Sequence, residues 1–245
     1  MPTDRLFDAH LHIVDPAYPT VPNAGYEPEP FTAADYRAAV DGLGVEGGAV
    51  VAGSFQQGTA WLEAALGALG PSFVGIARLA EDVSDDEVRR LDALGVRAVR
   101  FALRRGDRLN VGLARRVWAV AGWHAELYVD ARDLPRLPLA ALPRVTIDHL
   151  GLSAEGLPHL IEAARAGAFV KATGFGRLDL DPADAIRQLV EVRPEAVVFG
   201  TDLPSTRAPR PFRPSDVALV RDALPADLAD AVLFRNAHAL YRPRT

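Results

Sequence analysis

The sequence contains no cysteine, which excludes disulfides, thiolate nucleophiles and cysteine-ligated metal centres. Lysine occurs once, at Lys171, among 27 basic residues. That bias makes scattered surface arginines uninformative and the single lysine worth locating. There is no basic tract or basic–aromatic patch, and the formal net charge is −5, so nucleic acid is not expected as a partner. No apolar run is long enough to span a bilayer, and residues 1–8 lack the apolar stretch of a signal peptide. A cytoplasmic protein without a membrane role is the expectation.

Histidine is also sparse, with six in 245 residues, yet two stand together in Phe7-Asp8-Ala9-His10-Leu11-His12-Ile13. Side chains alternate faces along a strand. This segment is therefore expected to put Asp8, His10 and His12 on one face and the apolar residues on the other. Two adjacent imidazoles suit a divalent cation or a paired proton-transfer site.

Short β-branched runs alternate with longer segments of helical period. Strands are expected over 6–13, 48–53, 73–78, 96–103, 125–130, 144–149, 169–173 and 196–201. Amphipathic helices are expected over 32–43, 59–69, 84–94, 111–121, 153–166 and 182–192. Ser84 and Glu87 have the spacing of a capping box, and Gly44, Gly70, Gly95, Gly122 and Gly167 stand where helices end. Eight strand–helix alternations predict an α/β fold, a compact single-domain (β/α)8 barrel with short loops over residues 1–245. The Pro/Gly-rich stretch 15–30 reads as a loop over the barrel mouth. The stretch 135–143 replaces most of a helix after strand 5.

Barrel active sites lie at C-terminal strand ends and in the loops that follow. Strand 1 delivers His10 and His12 there, and strand 2 leads into Ser54, Gln56 and Gln57. Strand 4 delivers Arg100, Arg104 and Arg105, and strand 5 Tyr128 and Asp130. Strand 6 ends in Asp148-His149, strand 7 gives Lys171, Thr173 and Arg177, and strand 8 ends in Thr201-Asp202. Arg78, Asp130 and Asp148 read equally well as active-site groups and as helix caps or loop pairs. His124, His159 and His238 read as packing or surface residues. An Asp among His and Arg is a candidate general base for water. Arg100, Lys171 and Arg177 would make a positive interior in an acidic protein, suited to an anionic substrate or an oxyanion.

In order along the chain, several motifs together resemble the amidohydrolase superfamily, in the branch of 2-pyrone-4,6-dicarboxylate lactonase and sugar lactonases. They are Asp8-Ala9-His10-Leu11-His12, Gly95-Val96-Arg97-Ala98-Val99-Arg100-Phe101, Ile147-Asp148-His149-Leu150-Gly151, Val170-Lys171-Ala172-Thr173-Gly174 and Phe199-Gly200-Thr201-Asp202-Leu203-Pro204. The resemblance implies that His10 and His12 are the strand-1 pair, that His149 is the strand-6 histidine and that Asp202 is the general base. Metal-binding members place further ligands on strands 4 and 5, where this chain has Arg100 and Tyr128. A guanidinium stays protonated and is a poor ligand. The implied cofactor is accordingly none, or one divalent ion (Zn or Mn) on His10, His12 and Asp202. Leu152 stands where the pyrone lactonase has an Arg for a substrate carboxylate, and Arg207 or Arg210 of the strand-8 loop is the expected substitute.

The expected function is a lactonase that opens a small, anionic cyclic ester. Asp202, His149, His10, His12 and Tyr128 are the expected catalytic residues. Arg100, Lys171, Arg177, Gln56 and Arg207 are expected to bind the substrate, a small carboxylate or lactone. The alternatives are a metal-dependent decarboxylase of an unsaturated acid and a cyclase or dehydratase using the same acid–base set.

Overall fold

The computed structural model describes residues 5–243. Eight strands lie side by side in chain order: β1 (Leu6–Leu11), β2 (Val45–Val51), β3 (Phe73–Ala77), β4 (Val96–Phe101), β5 (His124–Leu127), β6 (Val145–Ile147), β7 (Phe169–Ala172) and β8 (Val197–Phe199). Every neighbouring pair from β1–β2 to β7–β8 is parallel. The expected single-domain (β/α)8 barrel is therefore the observed architecture. All eight predicted strands form; seven are shorter than their apolar runs, and β2 begins three residues earlier than expected, at Val45.

Helices return the chain between strands: α1 (Ala33–Ala39), α2 (Ala60–Leu69), α3 (Asp85–Leu94), α4 (Val111–Ala121), α5 (Leu157–Arg165) and α6 (Pro182–Val192). Polar side chains cap the starts of α1, α3, α4 and α6. Ser84 Oγ accepts from Glu87 N at 3.2 Å, and Asn110 Oδ1 from Leu113 N at 2.8 Å. After β5 the chain makes only short 3-10 turns, at Ala131–Arg136 and Leu139–Ala141, as the proline-rich stretch predicts. No helix of the described residues is long and apolar enough to cross a membrane.

The core has two parts. Outward strand residues such as Leu11, Val50, Val99 and Ile147 pack under the helices. Inward residues Phe7, Ala9, Val51, Ile76, Ala98 and Val198 meet Phe234, Ala237, Leu240 and Tyr241 of the C-terminal segment. Tyr241 stacks on Phe7 with centroids 5.8 Å apart. Aromatic burial from α9 (Asn236–Tyr241), which follows α7 (Pro214–Ala223) and α8 (Ala226–Asp230), thus seals the interior.

Asp130 is a cap. It accepts from Arg132 N at 3.1 Å and from Ser153 Oγ at 2.7 Å, and it pairs with the Arg132 guanidinium. The hydrogen-bonded Arg132 holds its carboxyl down to about 2. A carboxylate held low in the folded state stabilises above its ordinary pKa and loses that contribution as pH falls. Because Arg132 is half exposed, the contribution is screened to about 1 kcal/mol. Asp130→Asn is expected to lower stability by that amount at pH 7, and the difference from the parent should shrink as pH falls from 4 to 2. Urea unfolding across that range checks it; a constant difference would refute the linkage.

Candidate active site

The strand β1 departs from simple alternation. Between Asp8 and Leu11 it advances three residues while β2 advances from Gly48 to Val50, a one-residue bulge. Asp8 therefore does not share a face with His10 and His12 as strict alternation predicts. It accepts from Tyr36 of α1 at 3.0 Å and from Thr201 N and Oγ1 at 2.8 and 2.7 Å. Burial nevertheless raises its carboxyl to about 6.

These contacts belong to the seam between the first and last strands. Asp202 N donates to His10 O, and His12 N to Leu203 O, both at 2.7 Å. Gly200 makes the approach feasible: a Cβ there would lie 2.5 Å from His10 N. The backbone bonds that join the barrel ends thus set Asp202 against the two histidines. His149 and Asp202 both hold left-handed backbone, at φ +52° and +60°, uncommon for residues with a Cβ.

His10 and His12 bring their Nε2 atoms to 3.3 Å. Asp202 Oδ1 lies 3.7 Å from His10, 3.8 Å from His12 and 4.0 Å from His149. His12 Nδ1 donates to Val51 O at 2.7 Å, which leaves its Nε2 as a lone pair facing the cluster. His149 Nδ1 is fixed by Thr173 Oγ1 at 2.7 Å. Burial lowers the pKa of His10 and His149 well below the usual histidine value, with nearby cations adding to it, and lowers His12 to about 3. The three imidazoles are neutral near pH 7. Burial raises Asp202 above the usual carboxylate range, against the pull of Arg177 and Arg100.

His10, His12 and Asp202 form one candidate ligand set. Their separations are those of neighbouring ligands at about 2.0–2.2 Å from a common ion. Asp202 Oδ1 is also buried without a hydrogen-bond partner. This donor set fits a single divalent ion. Arg100 and Tyr128 add no ligand.

Above the cluster is a narrow cavity lined by His12, His149 and Asp202 with Arg100, Arg105, Arg177, Arg207 and Tyr128. Arg177 bonds Asp202 Oδ2 through both Nε and a terminal nitrogen. Arg207 lies 4.3 Å over the Tyr26 ring and donates to Asn23 O, so the 15–30 loop does lie at the mouth.

Two expected substrate contacts are placed elsewhere. Lys171 is fully buried beneath His10, 3.4 Å from its Nδ1, with its ammonium on Glu126 at 2.6 Å. Its inward position on β7 lies too deep to reach the cavity wall. The amide of Gln56 is consumed by Gly53 N and Ile13 O, at 2.8 and 2.7 Å. It fixes the loop after β2 and lines an adjacent depression. Sequence reasoning missed Glu126, and it left Asp148 undecided. Asp148 binds Arg100 at 2.9 Å and faces His10 Nδ1 at 3.5 Å. Burial alone would raise the Asp148 carboxyl, but Arg100 and Lys171 outweigh it and hold it low. The strand period was the available signal, since Glu126 and Tyr128 share the inward row of β5.

Residues 7–242 match the amidohydrolase family model. A 2-pyrone-4,6-dicarboxylate hydrolase from Comamonas testosteroni is 29% identical, over 96% of this chain and 90% of the relative. The crystal structure of a candidate 2-pyrone-4,6-dicarboxylic acid hydrolase from Pseudomonas putida superposes with a TM-score of 0.80 at 25% identity, covering 98% of each chain. A probable hydrolase of the same acid from Acinetobacter baumannii, solved with citric acid bound, gives 0.82 at 20% identity over 97% of this chain and 99% of its own.

Proposed function

Since this chain belongs to the amidohydrolase family, we propose that it is a lactonase that hydrolyses a small cyclic ester bearing a carboxylate. The observation that carries the reading is Asp202. It is a buried carboxylate with one unpartnered oxygen, set among three neutral imidazoles under an arginine-lined cavity. The relative from Comamonas testosteroni, named for hydrolysis of a pyrone dicarboxylate, supports the substrate class.

In this reading, water attacks the lactone carbonyl carbon and its proton passes to Asp202 Oδ1. His149, with Nδ1 held by Thr173, presents Nε2 to the carbonyl oxygen. Tyr128 and Arg100 orient the ring. The bond between the carbonyl carbon and the ring oxygen breaks, and the ring oxygen takes the proton back from Asp202. The product is an open-chain hydroxy acid. A divalent ion on His10, His12 and Asp202 would, when bound, polarise the carbonyl and acidify water.

The test is a panel of pyrone carboxylates and sugar-type lactones followed by pH-stat, with elemental analysis of the purified protein. One acid equivalent per ring opened is expected, with no carbon dioxide. Release of carbon dioxide that a chelator abolishes would replace this reading with the decarboxylase.

A further inference from the structure

Arg177 and the proposed base block one another in the structure. The guanidinium places Nε at 3.1 Å, and a terminal nitrogen closer still, on the single oxygen Oδ2 of Asp202. The same terminal nitrogen donates to Thr206 O at 3.1 Å. A carboxylate so engaged is a weaker base, because its charge is already shared with a cation. Yet Arg177 also lines the cavity, beside Arg105 and Arg207, which have no carboxylate within ion-pair distance among the described residues. An incoming carboxylate therefore meets four guanidiniums, of which Arg100 is held by Asp148 and Arg177 by Asp202. The exchange keeps the Arg177 guanidinium paired and leaves the buried Asp202 carboxylate without its cation, which strengthens it as a base.

We propose that Arg177 is a substrate-operated latch on Asp202: a bound carboxylate draws the guanidinium off Oδ2, and the base is released only when an anionic substrate is in place. This rests on the lactonase reading and adds a specificity rule to it. Gly174 supplies the clearance. It precedes the turn Phe175–Arg177 at φ +60°, and a Cβ there would lie 2.8 Å from Arg177 Nε and 3.0 Å from Asp202 Oδ2. A side chain at this position would crowd both partners.

The first arm of the test is structural and needs no turnover. The wild-type protein is crystallised at saturating citrate. The guanidinium is expected on a citrate carboxylate and out of hydrogen-bond reach of Asp202. Citrate that leaves Arg177 on Asp202, or no citrate at Arg177, overturns the latch. The second arm compares a pyrone carboxylate with its methyl ester. Wild-type kcat/KM is expected to be at least about 100-fold lower for the ester. In Arg177→Met the acid should lose about 100-fold, while the ester should gain about 10-fold. A plain binding role for Arg177 predicts an unchanged ester rate, and that outcome, or a fall, overturns the proposal. If no lactone is turned over, the lactonase reading fails and the citrate structure still decides the latch.

Discussion

Asp202→Asn is expected to lower kcat for lactone opening by about 1,000-fold, roughly 4 kcal/mol of transition-state stabilisation. The asparagine keeps the size and the backbone bond to His10 O, so the seam should hold and the fold remain intact. What it removes is the only carboxylate lining the cavity among the described residues. The neighbouring imidazoles are poor replacements as base, because burial lowers the pKa of His10, His12 and His149 below the usual histidine value. KM for an anionic substrate should stay level or fall, because Arg177 no longer has a carboxylate to hold. Steady-state kinetics with circular dichroism as a folding control decides the matter. Full activity in Asp202→Asn would remove Asp202 from the mechanism.

Glu126→Gln is expected to cost about 3–5 kcal/mol of stability, or roughly 10 °C in Tm. Glu126 is fully buried and receives Lys171 Nζ and Tyr241 OH, both at 2.6 Å, with His124 at 3.3 Å. Burial alone would raise its carboxyl, but Lys171 reverses this and keeps it below the usual value, so the pair is ionic. Glutamine leaves an ammonium in the barrel interior with Asp148 Oδ1, 3.8 Å away, as its nearest carboxylate. The double variant Glu126→Gln/Lys171→Met should recover most of the loss, because removing both charges is far cheaper than removing one. Urea unfolding of the three proteins checks this. A Glu126→Gln protein within about 1 kcal/mol of the parent would mean that the pair carries little.

The barrel was legible in the sequence because eight buried runs and their capped helices have periods of their own, independent of tertiary detail. Ser84 and the glycines after helices mark their boundaries locally. The candidate cluster was legible for a related reason: His10, His12, His149 and Asp202 stand at the ends of apolar runs. What failed was depth. A strand's period tells which face Lys171 takes but not how far down the barrel it lies, and Lys171 sits a layer below the cavity. The bulge that turns Asp8 away from His10 was equally hidden, since it depends on how β1 registers against β2. Gln56 was misread because nothing local reveals that a loop will consume both ends of its amide. Glu126 was overlooked because an isolated glutamate in a short strand resembles any exposed one.

The seam has a consequence for the order in which the protein is made. Its two strands are the first and the last of the barrel, and the proposed base follows the last one. A chain still emerging from the ribosome carries its histidine pair on β1 before the other strands are made, but has no Asp202 to set against it until β8 has docked beside β1. On the proposed mechanism, chemical competence is therefore withheld until the barrel closes. A fragment ending before β8 would be an incomplete fold and, by the same bonds, an inert one.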